Sequence, residues 1–136
     1  MQDKVILDSC VIASIFFEDE NSERAERAAM NYRLITLDLA IAEVSNVAWK
    51  RIILYNDSSE IILKALKKTI DFINSACDVI HLQDLHEAAF QIAIEDKITV
   101  YDSFFVAAAE RENAPLLTMD RKLHEAIRKK RNVKLI

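Results

Sequence analysis

Four carboxylates stand where chemistry could gather. Asp8 closes the apolar run Val5-Ile6-Leu7, Glu43 lies in Ala42-Glu43-Val44, Asp102 precedes Ser103, and Asp120 follows Leu116-Leu117-Thr118-Met119. Carboxylates brought into one pocket repel one another and raise each other's pKa values. A divalent cation relieves that repulsion, and an all-oxygen donor set suits Mg²⁺ or Mn²⁺. Such an ion polarises a phosphoryl oxygen and acidifies a bound water, which makes hydrolysis of a phosphodiester accessible. Arg121 and Lys122 directly follow Asp120 and could meet a phosphate at the rim of the same pocket. Each acid also has an ordinary reading. Asp8, Asp102 and Asp120 fall at expected helix starts, where aspartate serves as an N-cap. Glu43 shares a helix stripe with Asn46 and Lys50 and could be a surface residue.

The elements that must position these acids follow from the hydrophobic pattern. Short apolar runs at Val5–Leu7, Leu34–Ile35, Val79–Leu82, Leu116–Thr118 and Val133–Ile136 read as strands. Helical spacing marks Ser9–Phe17, Asn21–Tyr32, Leu37–Tyr55, Ser59–Ala76, Leu85–Glu95, Ser103–Arg111 and Arg121–Lys130, while Ile98–Val100 fits no template clearly. Alternation of buried-type strands with helices points to an α/β fold, a three-layer α/β/α sandwich with a short, mainly parallel central sheet. Ligands of such sheets bind beyond the carboxyl ends of the strands. Asp8 and Asp120 follow strand ends, as that rule requires.

Composition narrows the field. The 136 residues, with no linker, repeat or low-complexity tract, read as one domain over 1–136. The chain has no glycine, which excludes the glycine-rich loops that cradle phosphates in dinucleotide and P-loop sites. Left-handed caps must then fall to asparagine, and Asn31, Asn56, Asn74, Asn113 and Asn132 sit near expected element ends. Cys10 and Cys77 show no disulfide framework or zinc spacing, which suits a reducing cytoplasm. No signal peptide or membrane span is expected. The net charge of −4 is unevenly spread: residues 121–136 carry +6 and the first 120 carry −10. The basic end could grip a phosphate backbone or simply be a solvated helix face. Trp49 and the tyrosines could stack on bases or fill the core. No Ser-His-Asp or Cys-His order suggests covalent catalysis.

Taken jointly, Val5-Ile6-Leu7-Asp8-Ser9, Ala42-Glu43-Val44, Val100-Tyr101-Asp102-Ser103 and Leu116-Leu117-Thr118-Met119-Asp120-Arg121-Lys122-Leu123 resemble the PIN-domain nucleases. The likeness is greatest to the small VapC-type toxins of toxin–antitoxin pairs, and it spans residues 4–136. It implies that Asp8, Glu43, Asp102 and Asp120 form an acidic Mg²⁺ or Mn²⁺ site that hydrolyses RNA, leaving a 5′-phosphate and a 3′-hydroxyl. Asp8 and Asp102 would be the primary ligands, and Glu43 and Asp120 would complete the shell or orient water. Ser9 and Thr118 match hydroxyl residues that orient the acids, and Asn46 falls at an often polar position. The likeness also implies a homodimer and an antitoxin seated near the acids. Three positions depart from the pattern. Cys10 stands where serine or asparagine is usual and could cost Asp8 an orienting hydrogen bond. Ser103 replaces a common alanine, and Leu123 stands where some relatives carry another aspartate. A dehalogenase-like phosphotransferase would need an aspartate at Cys10, and a receiver domain would need an acid after Val79–Leu82. The remaining alternative is a PIN-like module that binds RNA or protein without cutting.

Overall fold

The computed structural model describes residues 3–136, so that residues 1 and 2 of the expected single unit lie outside the described range. Among the described residues, five strands alternate with seven α-helices: β1 (Lys4–Leu7), α1 (Ser9–Phe16), α2 (Ser22–Ala29), β2 (Arg33–Leu37), α3 (Leu39–Ile53), α4 (Ser59–Ala76), β3 (Cys77–Ile80), α5 (His86–Asp96), α6 (Val100–Glu112), β4 (Leu116–Thr118), α7 (Arg121–Ile127) and β5 (Val133–Leu135). The strands form one sheet in the order β3-β2-β1-β4-β5, and every pairing is parallel. The expected α/β class and sheet direction are therefore present.

The strand order explains where a site can form. From β1 the chain winds outward through β2 to β3, then crosses back to β4 and β5. Right-handed crossovers in opposite directions put α1–α4 on one face and α5–α7 on the other. Where the winding reverses, between β1 and β4, the helices part and leave a crevice at the carboxyl ends. The central strands are buried on both faces: Val5, Ile6, Leu7, Ile35, Leu37, Leu116 and Leu117 are all inside. This burial is why they read as continuous apolar runs instead of alternating ones. Phe105, Val106 and the three alanines 107–109 back the sheet from α6, and Val11 and Ile12 of α1, with Phe17 just past its end, lie in the same core.

The structure shifts several expected boundaries. Helix α2 ends at Ala29, not Tyr32, and β2 begins at Arg33. Helix α3 begins at Leu39, because Leu37 still belongs to β2. Strand β3 starts two residues early, at Cys77, and Leu82–Asp84 is a 3₁₀ turn. The uncertain run Ile98–Val100 is the entry to α6, which starts three residues before Ser103. Of the five asparagines expected to cap, Asn31, Asn56 and Asn113 adopt positive φ. Asn74 lies within α4 and Asn132 does not turn left-handed, whereas Lys97 does, at φ 57° after α5.

Three of the seven cations at the basic carboxyl-terminal end, Arg128, Lys130 and Arg131, meet acids within the molecule. Arg131 donates from Nε to Asp96 Oδ2 at 2.8 Å and also pairs with Glu110 and Glu95. Arg128 pairs with Glu125, and Lys130 reaches Asp96. Arg131, its side chain mostly covered, is a clamp between α5, α6 and the segment before β5, while Arg121 and Lys122 stay exposed beside Asp120. Among the described residues, no helix is long and apolar enough to cross a membrane.

Candidate active site at the carboxyl edge of the sheet

Asp8 continues β1 by one residue, its N–H donating to Leu117 O at 3.0 Å, before the chain turns into α1. It occupies the N-cap position of that helix yet makes no capping hydrogen bond with its side chain. Instead its carboxylate accepts from the Thr118 hydroxyl at 2.7 Å, in a buried contact that joins the ends of β1 and β4. Capping therefore does not explain Asp8. Thr118 is fully buried and also accepts from Asp120 N–H at 3.1 Å, so one hydroxyl links two of the four acids. Cys10 packs on the same group, with Sγ 3.6 Å from Thr118 Oγ1 and accepting from Met119 N–H at 3.4 Å. The anchoring bond that Cys10 was expected to cost Asp8 comes from Thr118.

Glu43 projects from the second turn of α3 and is half-buried, not a free surface residue. Its Oε1 accepts from Ser9 Oγ at 2.9 Å, which ties α3 to the start of α1. Asp102 is not the first residue of its helix. It lies in the first turn of α6, whose N-cap is Thr99, and its own N–H donates to Thr99 Oγ1 at 3.2 Å. Asp120 does cap α7, accepting from Leu123 N–H at 3.0 Å, and is exposed.

The electrostatics show that these acids share a neighbourhood. Burial pushes the Asp8 carboxyl up to about 6; the Thr118 bond opposes this, and the charge of Asp102 adds to it. Burial also raises Glu43, with the Ser9 bond opposing and Asp8 and Asp102 both adding repulsion. Asp102 is raised by burial, eased by the Thr99 hydroxyl and raised again by Asp120. Coulombic contact thus runs from Glu43 through Asp8 and Asp102 to Asp120. Burial and the charge of Asp8 push the Cys10 thiol up to about 12, so it stays protonated while its sulfur accepts from Met119 N–H.

Among the described residues, no three His, Cys, Asp or Glu side chains are arranged to hold a metal ion as they stand. The donor set nonetheless suits a hard cation. It is all carboxylate, partly open to solvent and self-repelling, and Mg²⁺ is commonly held by one or two carboxylates while keeping several waters. Asn46 lines the cleft beside Ser9 and Glu43. Arg121 and Lys122 are exposed beside Asp120. The sequence reading missed Thr99 as an orienting residue, although threonine before a helix is a start signal. Tyr101, one of the tyrosines that could stack on bases, and Lys50, on the stripe of Glu43 and Asn46, line the same cleft. Asp38 is a fifth acid at a strand end, but its carboxylate is occupied by Leu82 N–H at 2.9 Å and by His81.

Comparison with known proteins bears on the family and the fold. The family model described as PIN domain matches residues 5–129. Ribonuclease VapC3 of Pyrobaculum aerophilum is 37% identical over 126 residues, covering 90% of this chain and 93% of that protein. A toxin–antitoxin complex from Klebsiella pneumoniae superposes with a TM-score of 0.71 at 18% identity, covering 96% and 95% of the two chains. The Mycobacterium tuberculosis toxin VapC20, which cleaves the sarcin–ricin loop, superposes at 0.67 with 16% identity over 90% and 95%. The two structural likenesses speak for the fold alone. With the family model spanning nearly the whole chain and a relative above a third identical, the chain belongs to the PIN-domain family.

Proposed function

We propose that this protein is a divalent-metal-dependent endoribonuclease and the toxin of a toxin–antitoxin pair. The observation that carries this reading is the linked set Glu43–Asp8–Asp102–Asp120, gathered where the winding of the sheet reverses. Identity to a VapC ribonuclease over most of both chains supports the substrate class. Likeness to a toxin–antitoxin complex supports a protein partner that silences the site. A homodimer, as the family resemblance implies, belongs to the same proposal.

Asp8 and Asp102 would hold Mg²⁺ or Mn²⁺, with Glu43 and Asp120 completing the shell or orienting water. When bound, the ion would supply Lewis acidity toward the phosphodiester and acidify a water. The chain's own residues do the positioning. Thr118 fixes Asp8 and Asp120 relative to one another, and Ser9 fixes Glu43. Thr99 sets the turn that carries Asp102. Such hydrogen-bonding partners keep ligand carboxylates in place, and losing one commonly costs 10–100-fold. Arg121 and Lys122 would steady the RNA backbone without reading its sequence.

The test is the chemistry of the cut ends. A 3′-labelled stem–loop RNA incubated with the protein and Mn²⁺ is expected to yield fragments bearing a 5′-phosphate. Fragments carrying a 5′-hydroxyl and a cyclic phosphate would mean attack by the ribose 2′-oxygen and would overturn this mechanism.

A further inference from the structure

A cleft of about 420 Å³ opens beside the acids, between α3 and the first turn of α6. That volume lies within the ~300–1,000 Å³ typical of small-ligand pockets. Its walls are mainly apolar, with Leu39 and Val47 on one side and Tyr101 on the other. Tyr101 is 60% exposed although its ring lines the cleft, so it is not a core residue. Three polar side chains mark one stripe of α3: Glu43 at the acidic end, Asn46 three residues on, and Lys50 a further four. Helical rise puts Glu43 and Lys50 about 10 Å apart along the axis. Among the described residues, Lys50 has no carboxylate within ion-pair distance, unlike Arg51 beside it, which pairs with Asp57.

This is the composition of a single-nucleotide seat. An aromatic face supplies sequence-tolerant stacking. An amide offers both donor and acceptor to a base edge. An uncommitted ammonium balances a phosphate. We propose that the cleft takes one unpaired nucleobase flanking the cut phosphate, stacked on Tyr101, with Asn46 at its edge and Lys50 on the adjoining phosphate. The inference rests on the ribonuclease reading for its substrate class. A peptide segment of a protein partner would also find apolar walls here, but the Lys50 cation and the exposed aromatic wall of Tyr101 favour RNA.

The experiment is fluorescence anisotropy in EDTA, with a labelled random hexaribonucleotide pool beside a hexamer of ribose phosphates lacking bases. Wild type is expected to prefer the base-bearing pool. Tyr101→Ala should lose that preference, weakening the pool by about 5- to 100-fold while leaving the abasic hexamer unchanged. Tyr101→Phe should retain it. Lys50→Gln should weaken both ligands alike and flatten the salt dependence by about one charge. Both positions are exposed, so these three variants should fold. If wild type binds both ligands equally, or Tyr101→Ala keeps the preference, the seat is overturned and the cleft falls to a protein partner. Cleavage in Mn²⁺ with the same proteins separates the two readings. Cutting that Tyr101→Ala leaves unchanged in both binding and KM overturns the seat alone. Tyr101-dependent binding without cutting by wild type overturns the ribonuclease alone.

Discussion

At the scale of single residues, the site is built against its own stability. Asp8 is 6% exposed and its carboxyl is held near 6, against 3.8 for the free group. Between these values the folded chain keeps a proton that the unfolded chain has released. Stability therefore falls as pH rises from about 4 to 6 and stays lowered above it. Asp8→Asn escapes this penalty. It is expected to gain about 2–3 kcal/mol in urea unfolding at pH 7, with the gain closing as the pH approaches 4, while cleavage is lost. A neutral-pH loss of stability in Asp8→Asn would contradict the burial argument. Thr118→Ala should act in the opposite sense, costing about 1–3 kcal/mol because it strips Asp8 of its buried donor. Thr118→Ser should restore both stability and rate, measured by the same unfolding curves and by kcat. The acids were legible in the sequence only as a set. Singly, each could cap a helix, and Asp120 does; what distinguishes Asp8 is a bond to a residue 110 positions away, which no local pattern contains.

At the scale of elements, the strands were easier to place than their ends. Val5-Ile6-Leu7 and Leu116-Leu117-Thr118 are apolar because both faces are covered, and they fall where expected. The start of α6 was misplaced because Ile98, Thr99 and Val100 are β-branched and hide a capping threonine. That matters to function, since the cap decides that Asp102 lies in the first turn of the helix. Thr99→Ala is expected to cost about 1 kcal/mol and to lower cleavage, whereas Thr99→Ser should do neither. With no glycine in the chain, the left-handed positions among the described residues fall to Asn31, Asn56, Asn113 and Lys97. Asn113 closes α6 at φ 50°, its N–H donating to Glu110 O. Asn113→Ala should destabilise by about 1 kcal/mol, with Asn113→Gly near neutral, as read by the thermal midpoint.

At the scale of the molecule, the reversal of winding at β1 and β4 sets the crevice, and long-range contacts hold its two sides in register. Arg131 clamps α5 and α6 from the far end of the chain through Asp96, Glu95 and Glu110. Asp96 is almost wholly buried, and its hydrogen bond and ion pair with Arg131 hold its carboxyl below the usual range. Its contribution is complete above the ordinary carboxyl pKa and is lost as pH falls through the lowered one. Arg131→Ala should therefore cost about 2–4 kcal/mol at pH 7 and markedly less near pH 2, compared by urea unfolding. The sequence showed a basic tail but not that Arg131 is clamped by three acids, because those acids come from two other helices. The central claim, that the four gathered acids make a metal-dependent RNA-cutting site, is tested most directly by one side-by-side measurement. A labelled structured RNA is incubated with wild type and with Asp102→Asn, each with Mn²⁺ and with EDTA. Cutting by wild type with Mn²⁺ only, reduced at least about 100-fold in Asp102→Asn, is the predicted result. Equal cutting by the two proteins, or cutting that persists in EDTA, would contradict it.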